Sequence, residues 1–171
     1  MTQPVVIVVM GSASDWPIMQ STGEMLDRFG VPYEVTISSA HRAPRRTGAL
    51  ARDAAERGIK AIIAGAGGAA HLAGVIAAET TLPVIGVPID SSSLQGLDAL
   101  LATVQMPRGV PVATVAIGKA GAANAGVLAA QIVALTEPEV SERLRQYKSE
   151  LSAGVEKAAE TLQAQLAEKT A

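Results

Sequence analysis

Five short β-branched runs, at residues 5–10, 33–38, 61–64, 84–87 and 112–117, start 23–28 residues apart along the chain. Each is nearly continuous in apolar or β-branched residues rather than alternating, as strands covered on both faces are. The spacing leaves room for a crossover helix every time, so parallel pairing is favoured. The intervening segments fit helices. After Pro17, residues Ile18, Thr22, Met25, Leu26 and Phe29 recur at helical spacing, and Gly30 stands where a left-handed stop belongs. Pro44 suits a first helical turn, followed by the stripe Thr47, Leu50, Ala51, Ala54 and Ala55 and closed by Gly58. Further helices are expected over 70–79, 92–104 and from 121, the last carrying Ala125, Leu128, Ala129, Ile132 and Val133. Five β-α repeats predict an α/β chain: a doubly wound parallel sheet with right-handed crossovers, making a three-layer α/β/α sandwich.

A length of 171 residues suits one domain. The expected organisation is a single domain over 1–171, with an α/β core at 1–136 and a C-terminal helical arm at 137–171. In the arm, Val140, Leu144, Tyr147, Leu151, Val155, Ala158, Leu162 and Leu166 recur at spacings of three and four among mixed charges. Such a stripe docks either on its own domain or on a neighbouring subunit. Between residues 61 and 118 the only charged side chains are Glu79, Asp90, Asp98 and Arg108. Buried strands account for part of this. Helices without a polar face need a further cover, and other copies of the chain are the expected one.

Hydrophobic residues make up 49% of the chain, which excludes a disordered protein, and no Gly-X-Y period is present. Aromatics are only 2%, which argues against base-stacking nucleic-acid modules. The net charge of −2 implies no phosphodiester-binding patch, so no nucleic-acid partner is expected. Cysteine is absent, excluding disulfides and thiolate metal sites, and two histidines among scattered carboxylates show no metal-ligand spacing. The N-terminus lacks a basic n-region and cleavage site, and its apolar run before Gly11 is far short of a span of about 20 residues. A cytoplasmic protein without membrane attachment is expected.

In an open parallel sheet, ligands bind beyond the carboxyl ends of the strands. After the first strand comes MGSASDWP, residues 10–17. Gly11 permits close backbone approach. Ser12, Ser14 and Asp15 offer hydroxyl and carboxylate groups before a helix start, where phosphate binds readily. Asp15 would repel phosphate but suits ribose hydroxyls; alternatively Ser14 or Asp15 is only an N-cap. After the second strand, SSAHRAP sets His41, which can trade protons near neutrality, beside Arg42, a planar fork for phosphate. After the third, GAGGAAHL lets backbone lie flat against a planar ligand, or simply supplies glycine for a tight turn before His71. Strand four is followed by IDSSS and strand five by GKAGAAN, while QMPRGVP precedes strand five and would reach a site mainly across a subunit boundary. No Walker A loop, dinucleotide fingerprint or G-x-S-x-G elbow is present.

Taken together, MGSASDW, SAHRAP, IIAGAGGAAHL, LPVIGVP and VQMPRGVPVATVAIGKAGAAN closely resemble one family, over residues 5–135. It is the class I N5-carboxyaminoimidazole ribonucleotide mutases of purine biosynthesis, the catalytic subunit of phosphoribosylaminoimidazole carboxylase. The resemblance implies a flavodoxin-like fold and a homo-octamer. It implies an isomerase that moves a carboxylate from the exocyclic nitrogen of an aminoimidazole ribonucleotide to ring carbon C4, with no cofactor and no metal. It implies functional coupling to the ATP-dependent synthase that makes the substrate. By motif position His41 would be the general acid/base. Ser12, Asp15 and Arg42 would hold the ribose phosphate, with Ser14, Ser39, His71 and Gly11 completing the pocket. The residue chemistry agrees: carbamate cleavage needs a proton on nitrogen, rearomatisation needs one taken from carbon, and one imidazole can do both. A tight Ala/Gly wall would keep released CO2 from escaping.

Two positions depart from the family, which commonly has Thr at Ala43 and Pro at Ala73; both changes are expected to loosen the local turns. The class II form, a carboxylase using free CO2, generally has Lys in place of Arg42 and lacks the GAGGAAHL context, which puts this chain on the class I side. Two other readings stay open on the residues alone: that carboxylase, and a non-catalytic phosphosugar- or nucleotide-binding module.

Overall fold

A computed structural model describes residues 3–170. The sheet has five parallel strands in the order β2-β1-β3-β4-β5. They are β1 (Val6–Met10), β2 (Tyr33–Ile37), β3 (Ala61–Gly67), β4 (Val84–Ile89) and β5 (Ala113–Thr114). Helices α1 (Trp16–Phe29), α2 (Pro44–Asp53), α3 (Leu72–Glu79), α4 (Leu97–Val104) and α5 (Gly118–Ala134) alternate with them, and α6 (Pro138–Thr170) closes the chain. This is the expected doubly wound, flavodoxin-like sandwich with a C-terminal helix.

Strand alternation divides the core into two layers. Val6, Val8, Met10, Ile63, Ile85 and Val87 point to one face, where α1 and α5 cover them. Ile7, Val9, Ile62, Ala64 and Val84 point to the other, under α2 and α3. Each fully buried Val or Ile contributes about 1.5–3 kcal/mol, and small residues let the layers close. A Cβ at Gly126 of α5 would stand 2.8 Å from the Thr22 carbonyl oxygen of α1. On the second face a Cβ at Gly86 would stand 2.4 Å from Thr103 Cγ2 of α4.

Several elements differ from the sequence reading. β2 is an edge strand, with Val35 43% and Ile37 46% exposed, so it is not covered on both faces. β5 keeps only two ladder residues of the six expected. It lies at the other edge, and after Val115 donates to the Gly86 carbonyl the chain turns into α5 at Gly118, φ +76°. α4 starts at Leu97 because Gln95 and Gly96 are both left-handed. α2 stops at Asp53, and Gly58, φ +81°, closes the turns that follow.

The C-terminal segment is one helix and not two. Its first turns dock on their own chain. Val140 is buried, Arg143 donates from Nη1 to the Phe29 carbonyl at 2.7 Å, and Tyr147 meets the Phe29 ring edge-on with centroids 5.4 Å apart. Arg28 lies over the Tyr147 ring and pairs with Glu150. Residues 151–169 are exposed throughout. Among the described residues no helix is long and apolar enough to cross a membrane.

Candidate active site

Parallel register brings four strand ends to one edge of the sheet. Met10 pairs with Ile37 on one side and Gly65 on the other, and Gly67 pairs with Ile89. The order reverses at β1, whose neighbours β2 and β3 are reached by crossovers in opposite directions; such a reversal opens a crevice for ligands. A cavity of about 350 Å³ occupies it. Its lining includes all eight residues singled out in the sequence: Gly11, Ser12, Ser14, Asp15, Ser39, His41, Arg42 and His71.

The first wall is a 3₁₀ turn over Ala13–Asp15. Here the capping reading needs correction. Neither Ser14 nor Asp15 caps α1 with its side chain; Ser12 is the cap of the 3₁₀ turn. Its hydroxyl accepts from the Ser14 amide at 3.4 Å and from the Ser14 hydroxyl at 2.9 Å, while Asp15 Oδ2 accepts from the Ser12 amide at 3.1 Å. This reciprocal box fixes the loop. Asp15 is only 7% exposed, and burial pushes its carboxyl above the usual carboxylate range against the opposing pull of the Ser12 amide and Arg42. Gly11 is not required by packing: a Cβ there would meet only Asp15 Oδ2, at 3.8 Å.

The second wall follows β2. Ser38 continues the ladder by donating to the Met10 carbonyl, and its buried hydroxyl meets Thr47 Oγ1 of α2 at 2.7 Å. With its root fixed, the loop presents Ser39, His41 and Arg42. The Arg42 amide and Nε donate to Ser39 Oγ at 3.2 and 3.4 Å, and Nη2 reaches the Gly11 carbonyl at 3.4 Å. Arg42 thereby ties the loops after β1 and β2 together and keeps a cation beside the serines.

The third wall is GAGGAAHL. Gly68 is left-handed at φ +58°, and the Ala70 and His71 amides turn back onto the Gly68 and Ala69 carbonyls, both at 2.8 Å. The turn swings His71 toward His41, and His41 Nε2 stands 2.7 Å from His71 Nδ1. A contact that short is attractive only when one nitrogen carries a proton and the other a lone pair. The two rings are therefore joined by one hydrogen bond, with one nitrogen as donor and the other as acceptor. The chemistry on offer in one cavity is a group of hydroxyls with Arg42 that can hold an anion, a hydrogen-bonded imidazole pair, and an uncharged Ala/Gly surface.

Other motif residues are not brought here. Trp16 faces a separate groove with Ala13, Val35, Ile37 and Arg46. Residues 105–111 and the loop before α5 do not line the cavity. Conversely, Ala40, Ala66, Leu72 and Ser91 line it without having been assigned individual roles. The signal for Ser91 was its place in IDSSS at a strand end.

The sequence model of AIR carboxylase matches residues 5–153, most of the chain. The chain belongs to the AIR carboxylase family. Relatives carry the name N5-carboxyaminoimidazole ribonucleotide mutase. The one from Pyrococcus horikoshii is 55% identical over 161 residues, covering 94% of this chain and 90% of the relative. That from Bacillus subtilis is 58% identical over 142 residues, covering 83% and 88%. Among solved structures, Treponema denticola PurE superposes with a TM-score of 0.83 at 28% identity, covering 93% of this chain and 98% of that one. The AIR carboxylase match spans all four cavity-forming loops, from residue 10 to residue 91.

Proposed function

We propose that this chain is an isomerase that converts N5-carboxyaminoimidazole ribonucleotide to 4-carboxy-5-aminoimidazole ribonucleotide. The observation that carries the reading is the cavity itself: His41, bonded to His71, lines it together with Arg42, Ser12, Ser14, Ser39 and an uncharged Ala/Gly wall. The names of the relatives, at 52–58% identity, support it. In the proposed roles, Ser12 and Arg42 hold the phosphate, Asp15 meets the ribose, and Gly11, Ser14, Ser39 and His71 complete the pocket. Protonated His41 gives its proton to the exocyclic nitrogen as the N–C bond of the carbamate breaks and CO2 is released. Ring carbon C4 then forms a bond to the same CO2, and His41 takes the C4 proton. The proton given equals the proton regained, and the reaction needs no oxidant or reductant. His71, sharing the hydrogen bond, holds the neutral His41 imidazole in position between the two steps.

The assembly we propose is a homo-octamer in the cytoplasm, receiving substrate from the ATP-dependent synthase. The test is a substrate comparison at low bicarbonate without ATP. The mutase forms product from N5-carboxyaminoimidazole ribonucleotide and little from aminoimidazole ribonucleotide. The opposite preference identifies a carboxylase that uses free CO2. Tight binding with no product identifies a binding module.

A further inference from the structure

The loop between β4 and α4 puts a hydroxyl into the cavity that the proposed mechanism has not used. Ser91 lines the cavity together with Gly67 and His71. Its immediate neighbour explains a glycine: a Cβ built on Gly67 would fall 1.8 Å from Ser91 Oγ and 2.8 Å from Ser91 Cβ. The backbone at Gly67 is not in the left-handed region, so conformation does not demand glycine there. Room for Ser91 does, with the Ile89 carbonyl oxygen a further close neighbour at 3.1 Å. The loop is also held in shape. Ser92 donates to Asp98 Oδ2 at 2.8 Å and accepts from the Leu94 amide at 3.2 Å, and Gln95 and Gly96 take left-handed turns into α4. Among the described residues nothing hydrogen-bonds the Ser91 hydroxyl itself, whereas the Ser92 hydroxyl beside it is satisfied. The wall it interrupts, Ala66, Gly67 and Ala69, has no polar side-chain atom.

Ser91 is solvent-exposed at the cavity mouth, and its unpartnered hydroxyl beside an otherwise apolar wall is available to a ligand oxygen. We propose that Ser91 is a substrate-positioning residue: it donates to the migrating carboxyl group and holds it at Gly67 while bonded to neither nitrogen nor carbon. The inference rests on the mutase reading above, and it answers a specific need of that reading. CO2 free in an apolar pocket has no orientation, and recapture at C4 competes with loss to solvent. One donor that follows the carboxyl oxygens through both steps biases recapture without contributing to phosphate binding.

The test is single-turnover conversion of N5-carboxyaminoimidazole ribonucleotide by wild type, Ser91→Ala and Gly67→Ala. Rearranged product and the escaped pair, aminoimidazole ribonucleotide plus CO2, are counted separately. Ser91→Ala should lower the single-turnover rate constant about 10- to 100-fold, the range of one hydrogen bond to a charged group. The escaped fraction should rise. Gly67→Ala, which leaves the serine in the sequence but displaces its hydroxyl, should raise the escaped fraction in the same way. A wild-type single-turnover rate constant and product ratio in Ser91→Ala overturn the proposal. So does a lower rate with an unchanged ratio, which marks a packing effect. If wild type converts no substrate, the mutase reading itself fails, a result separate from either.

Discussion

At the scale of single residues, His41 and Asp15 make opposite predictions. His41→Asn removes the group that gives and regains the proton. Loss of a general acid/base lowers rate by about 10²–10⁴-fold, and kcat should fall by at least that while ligand affinity, measured by calorimetry, stays near wild type. An His41→Asn enzyme that keeps most of its rate would rule out the assigned role. Asp15 is a charge buried at a cost to folding. Its carboxyl sits above the ordinary range in the folded protein, chiefly from burial, so the folded state binds the proton more tightly than the unfolded one. Stability then falls as pH rises from the unfolded value of 3.8 through the higher folded value, and the full penalty is present at neutral pH. Asp15→Asn keeps an oxygen to accept from the Ser12 amide and removes the buried charge. It should raise the melting temperature at pH 7, the gain shrinking toward pH 4, while weakening substrate binding. A lower melting temperature at pH 7 would show that the bond from Ser12 and the pull of Arg42 outweigh burial.

At the scale of elements, helix ends carry the testable statements. α2 begins at Pro44 with Ala43 as its N-cap, and Ala43 has no side-chain bond to offer. The family commonly has Thr there. Ala43→Thr should therefore stabilise the chain by about 0.5–2 kcal/mol, the range for supplying a cap, read by denaturant unfolding. Ala73, the other departure, is buried in the first turn of α3 against the second core layer. At the start of α5 the constraint is reversed. A Cβ on Gly121 would lie 1.6 Å from the Ala116 carbonyl oxygen, so Gly121→Ala should destabilise by about 1–3 kcal/mol through overpacking. The strands and helices were legible in the sequence where both faces are covered, as in β1, β3 and β4. They were misjudged at the edges, because β2 and β5 carry the same β-branched residues as inner strands while having one neighbour each. Propensity records what fits a pleated surface and not how many strands flank it.

At the scale of the whole molecule, the exposed apolar side chains are not scattered. Leu97, Leu101 and Val104 line one side of α4 with Leu94 in the turn before it, and Trp16, Val35 and Ile37 lie at the opposite edge of the sheet. The low charge between residues 61 and 118 anticipates the first patch. Burial of both in the proposed octamer would satisfy them. For α6, 33 residues span about 50 Å, of which the first turns are pinned to α1 and α5. A cut at 137 would remove Val140 and Tyr147 from the core, so truncation after Glu150 is the clean test. Sedimentation of the intact chain should give an octamer. The 150-residue chain should stay folded by circular dichroism and form a smaller assembly if the exposed half packs on a neighbour. An unchanged octamer would show that the arm is not part of the assembly.

By itself, the sequence determined the α/β class, the parallel sheet and the strand-end loops whose residues line the cavity, because periodicity and residue type are local properties. Only the tertiary structure decided that His41 and His71, thirty positions apart, meet at 2.7 Å, and that Asp15 stands at the N-cap of α1 without a side-chain bond while Ser12 caps the 3₁₀ turn before it. It alone showed Gly67 to be the space that Ser91 occupies. Those facts depend on strand order and register, which bring separate loops to one edge of the sheet, and no single segment contains them.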